Sequence, residues 1–243
     1  MLAVLLVLAL TGVALWRALH SERGSAWLLA HLPGVVVSGT RGALLDDFEA
    51  AQITIEWPAG GGVTLSRVHW RGLRIERSGD AGLWLRVRVR VAELHADRID
   101  LQPAPSTGPA LSAPSNLRLP LEIDVSSLTV GEIHAPAWGA EPLRDLRLRA
   151  HLSAAAGTLH RVDDVSLAWG RLRAKGSAQI ATRSPLDIEA KLALTQSDSA
   201  HLAWSAQATL AGPLQQPQLR ATVRAWPRPG QRDDGPDHRL VEP

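Results

Sequence analysis

Cysteine and tyrosine are absent from this chain, phenylalanine and methionine occur once each, and among 26 basic residues only Lys175 and Lys191 are lysine. Without cysteine there is no disulfide, no thiolate nucleophile and no sulfur-ligated metal, so stability has to come from burial; this suits an envelope protein without fixing a compartment. No block of one charge sign exists. The net charge is +2 and the arginines are spread evenly, which excludes the basic patch of a nucleic-acid binder despite a pI of about 9.9. The excess of Arg, Ala, Gly, Pro and Trp is also what a G+C-rich gene encodes and carries no functional argument. With 45% apolar and 21% charged residues, 243 residues are enough for one large or two ordinary folded domains.

What the chain has in quantity is strict alternation. In Leu83 to Val91, Leu83, Leu85, Val87, Val89 and Val91 fall on one side of an extended backbone, with Trp84, Arg86, Arg88 and Arg90 on the other. At 100° per residue the same apolar positions would scatter around a helix, so the segment is a half-buried strand. The design recurs through Val35 to Val37, Ile53 to Trp57, Val63 to His69 and Leu73 to Glu76, and again from Leu94 to Leu101. It continues through Leu117 to Val125, Leu128 to His134, Leu146 to Leu152, Val165 to Trp169, Leu172 to Ile180, Leu186 to Leu194, Leu202 to Leu210 and Leu219 to Ala225. Pro120 cannot donate to a ladder and belongs at an edge. The pattern predicts an all-β fold of about fourteen strands, each hiding one face. Inward positions after Gly170 become rich in Ala and Gly, too small to fill a wide closed interior. An elongated curled sheet, a trough or solenoid with an apolar inner face, is therefore expected. Its lining would include Leu83, Leu85, Val87, Val89, Val91, Leu119, Leu121, Ile123, Leu146, Leu148, Leu172, Ile188 and Leu192.

Two helical stretches precede the strands. The uncharged run Leu2 to Trp16 would be about 22 Å long as a helix, short of the roughly 30 Å hydrocarbon core. Neither a basic residue before Leu2 nor an Ala-x-Ala exit is present for a cleaved signal peptide, and Arg17 and Arg23 follow the run. The expectation is an uncleaved anchor, begun by residues before Met1, that uses Leu2, Val4, Leu5, Leu6, Leu8, Leu10, Leu15 and Trp16. Next, Ser25 to Leu32 reads as a short amphipathic helix with Ser25 as N-cap and Pro33-Gly34 as the stop. Its spacing favours burying Trp27, Leu28 and Leu32 against the first strands over laying them on a membrane. The domain reading is an anchor at 1–24, a helix and first β section at 25–101, a Pro/Ser-rich connector at 102–116, a second β section at 117–225 and a disordered tail at 226–243, preceded by an uncapped edge strand.

Chemistry-bearing motifs are sparse. Gly170 to Ser177 has its Lys in the wrong order for a phosphate loop, and no Gly-x-Ser-x-Gly or His-Glu-x-x-His occurs. His95 and Asp97 share a strand face, but strict alternation turns Asp100 to the other, which argues against a metal site. The pairs Asp46-Asp47 and Asp163-Asp164 read as turn residues. Arg86, Arg88 and Arg90 read as a solvated face, with attraction to anionic headgroups or acidic chains as the alternative. No catalytic residue, metal or cofactor is expected, and the chain reads as a non-enzyme.

Several segments resemble a family. These are Ser25-x-Trp27-Leu28-Leu29-x-x-Leu32-Pro33-Gly34, Gly39-Thr40-Arg41-Gly42-x-Leu44-Leu45-x-Asp47-Phe48, and Leu119-Pro120-Leu121-Glu122-Ile123-Asp124 followed by Leu128-x-Val130-Gly131-Glu132-Ile133. They look like the N-terminal part of TamB proteins, the inner-membrane subunit of the translocation and assembly module. Leu210-Ala211-Gly212-Pro213-Leu214 with Pro217 and Leu219 is similar to a turn recurring in AsmA-like β-rich proteins. The resemblance implies a single-pass inner-membrane protein whose bulk is a periplasmic β-trough. Its partners would be inner-membrane lipids, phospholipid acyl chains or nascent outer-membrane proteins and, for full-length members, an Omp85-family (TamA-like) barrel. Members are several times longer and carry a C-terminal barrel-binding domain absent here, so a truncated product or fragment is implied. Two other classes stay open: a structural or adhesin-like β-solenoid with a filled core, and a carbohydrate-active β-helix that would need acidic residues such as Asp97, Asp163 and Asp164 clustered on one face.

Overall fold

The computed structural model describes residues 16–57, 60–79, 87–103, 116–196 and 202–227. Residues 16–19 form a helical turn and α1 spans Glu22–Ala30. The first strands are β1 (Val35–Ser38), β2 (Arg41–Gly42), β3 (Phe48–Glu56), β4 (Gly62–Arg71), β5 (Arg74–Arg77), β6 (Val87–Val91) and β7 (Glu93–Gln102). After the connector come β8 (Glu122–His134), β9 (Leu143–Ser153), β10 (Leu159–Trp169), β11 (Leu172–Ala181), β12 (Asp187–Gln196), β13 (Leu202–Pro213) and β14 (Gln218–Pro227). All belong to one open, curled 14-stranded sheet with β1 and β14 at its ends. Among the described residues no helix is long and apolar enough to cross a membrane. The anchor positions Leu2 to Leu15, the strand start Leu83 to Arg86, most of the connector and the tail after Pro227 lie outside the described residues.

β8 is the hinge of the topology. On one side it runs antiparallel to β9; on the other it runs parallel to β6 through Val89↔Ile123 and to β7 through Leu94↔Leu128. Parallel neighbours cannot be joined by a tight turn, since the chain must travel back along the strand. β7 ends at Gln102 and β8 begins at Glu122, and the sheet is continuous between the two strands.

Two creases cross the first half of the sheet. In the first, Ala51, Arg67, Asp97, Gly131 and Asp145 are skipped in the registers of β3 with β4, β4 with β7, β7 with β8 and β8 with β9. One extra residue per strand switches which parity faces inward, so Val63 and Leu65 share a face with Val68 and Trp70. Arg67 and Asp145 take positive φ there, and a Cβ on Gly131 would lie 2.6 Å from the Asp97 carbonyl oxygen. In the second crease, Gly72-Leu73 separates β4 from β5, Ala92 separates β6 from β7, and Ser126-Ser127 bulge from β8. From β11 onward the ladders run without a break.

Several expectations change. The N-cap of α1 is Ser21, whose Oγ accepts from the Gly24 N–H at 3.2 Å, while Ser25 lies fully buried inside the helix. Trp27 and Leu32 are exposed and only Leu28 is half-buried. Residues 117–121 are not strand; Pro120 delays β8 to Glu122, and β8 then runs as one piece where two strands were expected. Asp163 and Asp164 sit inside β10 at a bulge, with Asp164 at positive φ, a conformation Asp tolerates better than most residues.

Candidate functional site: the apolar inner face

Alternation and the creases together carry apolar side chains across one face, and that face is closed at the β3 to β4 end. Phe48 stacks on Trp70 at 4.2 Å, and the Trp70 indole N–H donates to the Leu44 carbonyl at 2.9 Å. The Leu44 N–H in turn donates to the buried Ser25 Oγ at 2.9 Å, and the Leu45 N–H to the Leu19 carbonyl. The helix and its loop thus form a lid over the start of the face.

The centre is a packed core. Val91, Val125 and Ala150 are buried, with Val89, Ile123 and Leu148 of the predicted lining packed against them together with Trp70, Leu73, Leu94 and Leu128. Leu146 falls in the row of Val130, Ala96, Val68 and Ala50. Leu119 and Leu121 lie on the segment before β8, half-buried. That segment is tied down by His160. The ring accepts from the Ser153 N–H at Nδ1 (3.0 Å) and donates from Nε2 to the Leu117 carbonyl (2.8 Å), which requires the neutral imidazole. The Leu117 N–H donates to the Thr182 carbonyl, and the buried Thr182 hydroxyl donates to the Gly157 carbonyl at 2.7 Å.

Further along, the face opens. Leu172 and Ile188 are half-buried, but Leu192 is 38% exposed, and Leu219 and Val223 on β14 are 67% and 65% exposed. Around Leu192 the inward neighbours are Gly176 and Ala208, too small to cover it.

The outer face carries the charge. Arg88 meets Glu122 at 2.9 Å, and Arg90 lies 3.5 Å from Glu76 and 3.8 Å from Asp124. Arg88 and Arg90 therefore face matched carboxylates and are not free cations, while Arg86 lies outside the described residues. Asp100 lies on the same face as His95, because the crease reverses parity between them, and its carboxylate accepts from Arg98 at 2.7 Å. No described group of three or more His, Asp or Glu can hold a metal ion. The Arg98 bonds hold the Asp100 carboxyl below its usual range, and the His134 hydrogen bond does the same for Glu132.

One constellation was not visible in the sequence. His95 Nε2 lies 2.7 Å from an Asp97 carboxylate oxygen and its Nδ1 lies 2.7 Å from the Thr129 hydroxyl, beside a concavity of about 480 Å³ that includes Arg41, Glu49, Arg67 and His69. The His95 hydrogen bond, with Arg67 beside it, holds the Asp97 carboxyl below its usual range against the opposing effect of burial. The arrangement looks like a nucleophile, base and orienting acid. Two features count against catalysis. Arg67 pairs with the Asp97 charge that would stabilise an imidazolium, and Thr129 sits mid-strand between two paired neighbours, whose ladders occupy the backbone N–H groups an oxyanion would need. Only the parallel pairing of β7 with β8 brings Thr129 opposite His95, so alternation could not have found it. Compared with known protein families, with curated proteins and with solved structures, the chain matches none.

Proposed function

We propose that this chain is a non-enzymatic, membrane-anchored β-trough of the bacterial inner membrane, with its bulk in the periplasm. In this reading it takes part in outer-membrane biogenesis by shielding phospholipid acyl chains or nascent outer-membrane strands from water. The observation that carries the reading is the uncovered apolar face from Leu192 to Leu219 and Val223 on an open sheet. Cargo laid along it would exchange water for apolar contact at about 25 cal/mol per Å², with no side-chain chemistry required. The resemblance to the N-terminal part of TamB proteins points the same way. Native mass spectrometry of protein purified in mild detergent tests it: bound phospholipid is expected, and consistently lipid-free protein counts against the reading. The packed cluster of Val91, Val125 and Ala150 favours a second reading, a structural or adhesin-like solenoid without cargo. That reading expects no ligand even at saturating lipid.

A further inference from the structure

We propose that α1 is an interfacial helix that lies on the phospholipid headgroups, with Trp27 as its inserting side chain. The proposal rests on the anchored reading given above and adds a second, residue-specific membrane contact. On α1 the side turned to the protein carries Ser25, fully buried, with Leu28 and Leu29 half-buried. The opposite stripe, at spacings of three and four, is Arg23, Trp27, Ala30 and His31, all exposed. A bulky apolar ring between cationic or polar neighbours on a solvent-facing helix is the composition of a membrane interface, where amphipathic rings sit at headgroup level. Trp16 and Leu32 add exposed apolar surface on either side of α1, at 57% and 49%.

Two features argue that lipid covers this surface. The indoles are preorganised: His20 lies over Trp16 at 4.1 Å and His31 over Trp27 at 4.5 Å, each four residues on, and each ring Nδ1 bonds the carbonyl of its tryptophan. An exposed indole fixed this way loses little further freedom on docking. Position is the second feature. The uncharged run Leu2 to Leu15 leads directly into Trp16, and residue 18 is clamped to α1, since a Cβ on Gly24 would lie 2.4 Å from the Ala18 Cα. A chain held in a bilayer by that run therefore carries α1 within about one helix diameter, ~10 Å, of the boundary. Arg17 and Arg23 give the contact a preference for anionic headgroups.

Because the chain has no cysteine, Ala30→Cys introduces a single thiol for a fluorophore on the exposed stripe, and Thr209→Cys places one on the outer face of β13, beside Lys191 and away from the apolar row, as a control. The full chain is reconstituted into vesicles of phosphatidylglycerol and phosphatidylcholine in equal parts, containing nitroxide-labelled acyl chains. Quenching at residue 30 and not at 209 is expected. In the Ala30→Cys background, Trp27→Ser lowers the ratio of docked to undocked helix by about tenfold and Arg23→Gln by about fivefold, with the circular dichroism spectrum unchanged because both side chains are exposed. Vesicle-bound protein whose residue 30 is never quenched overturns the proposal and leaves the anchored reading standing. Protein that does not associate with vesicles overturns both. Equal quenching in phosphatidylcholine alone overturns the headgroup preference.

Discussion

Strands β3 to β9 and strands β11 to β14 share one sheet and one alternation of side chains, yet the first set buries its apolar face and the second leaves it open. Phe48, Val68, Ala96 and Val130 are all 5% exposed or less, while Leu219 and Val223 are two-thirds exposed. The difference follows the creases. Where each strand takes in one extra residue, the sheet bends and apolar rows from either side of the bend approach each other. Where the ladders run unbroken, no such approach occurs, and small inward residues such as Gly176, Ala206 and Ala208 alternate with the larger ones. Outer-face charge follows the same division: among the described residues the only ion pair on β11 to β14 is Lys191 with Glu189, both on one strand. A tightly packed base and an open, compositionally light extension are thus built from one strand design.

The largest test of this contrast is Phe48→Ala, which removes a side chain 1% exposed and stacked on Trp70. It is expected to cost about 3–5 kcal/mol in urea unfolding. Gly131→Ala strikes the first crease, where a methyl would meet the Asp97 carbonyl, and should cost about 1–3 kcal/mol. Acid should loosen the first half through its carboxylates. Asp97, Asp100 and Glu132 have folded pKa values below their unfolded ones, so the unfolded chain takes up protons first as pH falls. Their contribution is complete above the unfolded values and is lost below about pH 4, as pH drops through the folded ones. The urea midpoint should fall across that window, and Asp97→Asn should flatten the fall. Smallest in stability is Val223→Thr, within about 0.5 kcal/mol because the site is exposed. Its expected effect is on lipid carried through purification, read by mass spectrometry; unchanged lipid would place cargo elsewhere.

The strands were legible because one-sided burial writes period two into the sequence, and β9, β11, β12 and β14 lie where alternation put them. The creases were not. An inserted residue such as Arg67 or Asp97 preserves apolar content while reversing parity, which is why strict alternation turns Asp100 to the wrong face. Parallel pairing was equally hidden, since nothing local in Leu94 or Leu128 records that they meet. Thr129, and with it the His95 network, depends on that pairing. For the apolar face, composition anticipated the light lining after Gly170, but the tight centre around Val91 required the bend.

The position of β8 has a consequence for how the chain is made. Strands β1 to β7 are synthesised before any residue of β8, and until the crossover is complete β7 has an unsatisfied edge. From β8 onward every strand finds its neighbour by a short antiparallel return, so the later part can assemble from local encounters while the earlier part waits for a distant one. The side chains along that waiting edge, among them Arg98 and Asp100, keep it charged and discourage pairing with another nascent chain.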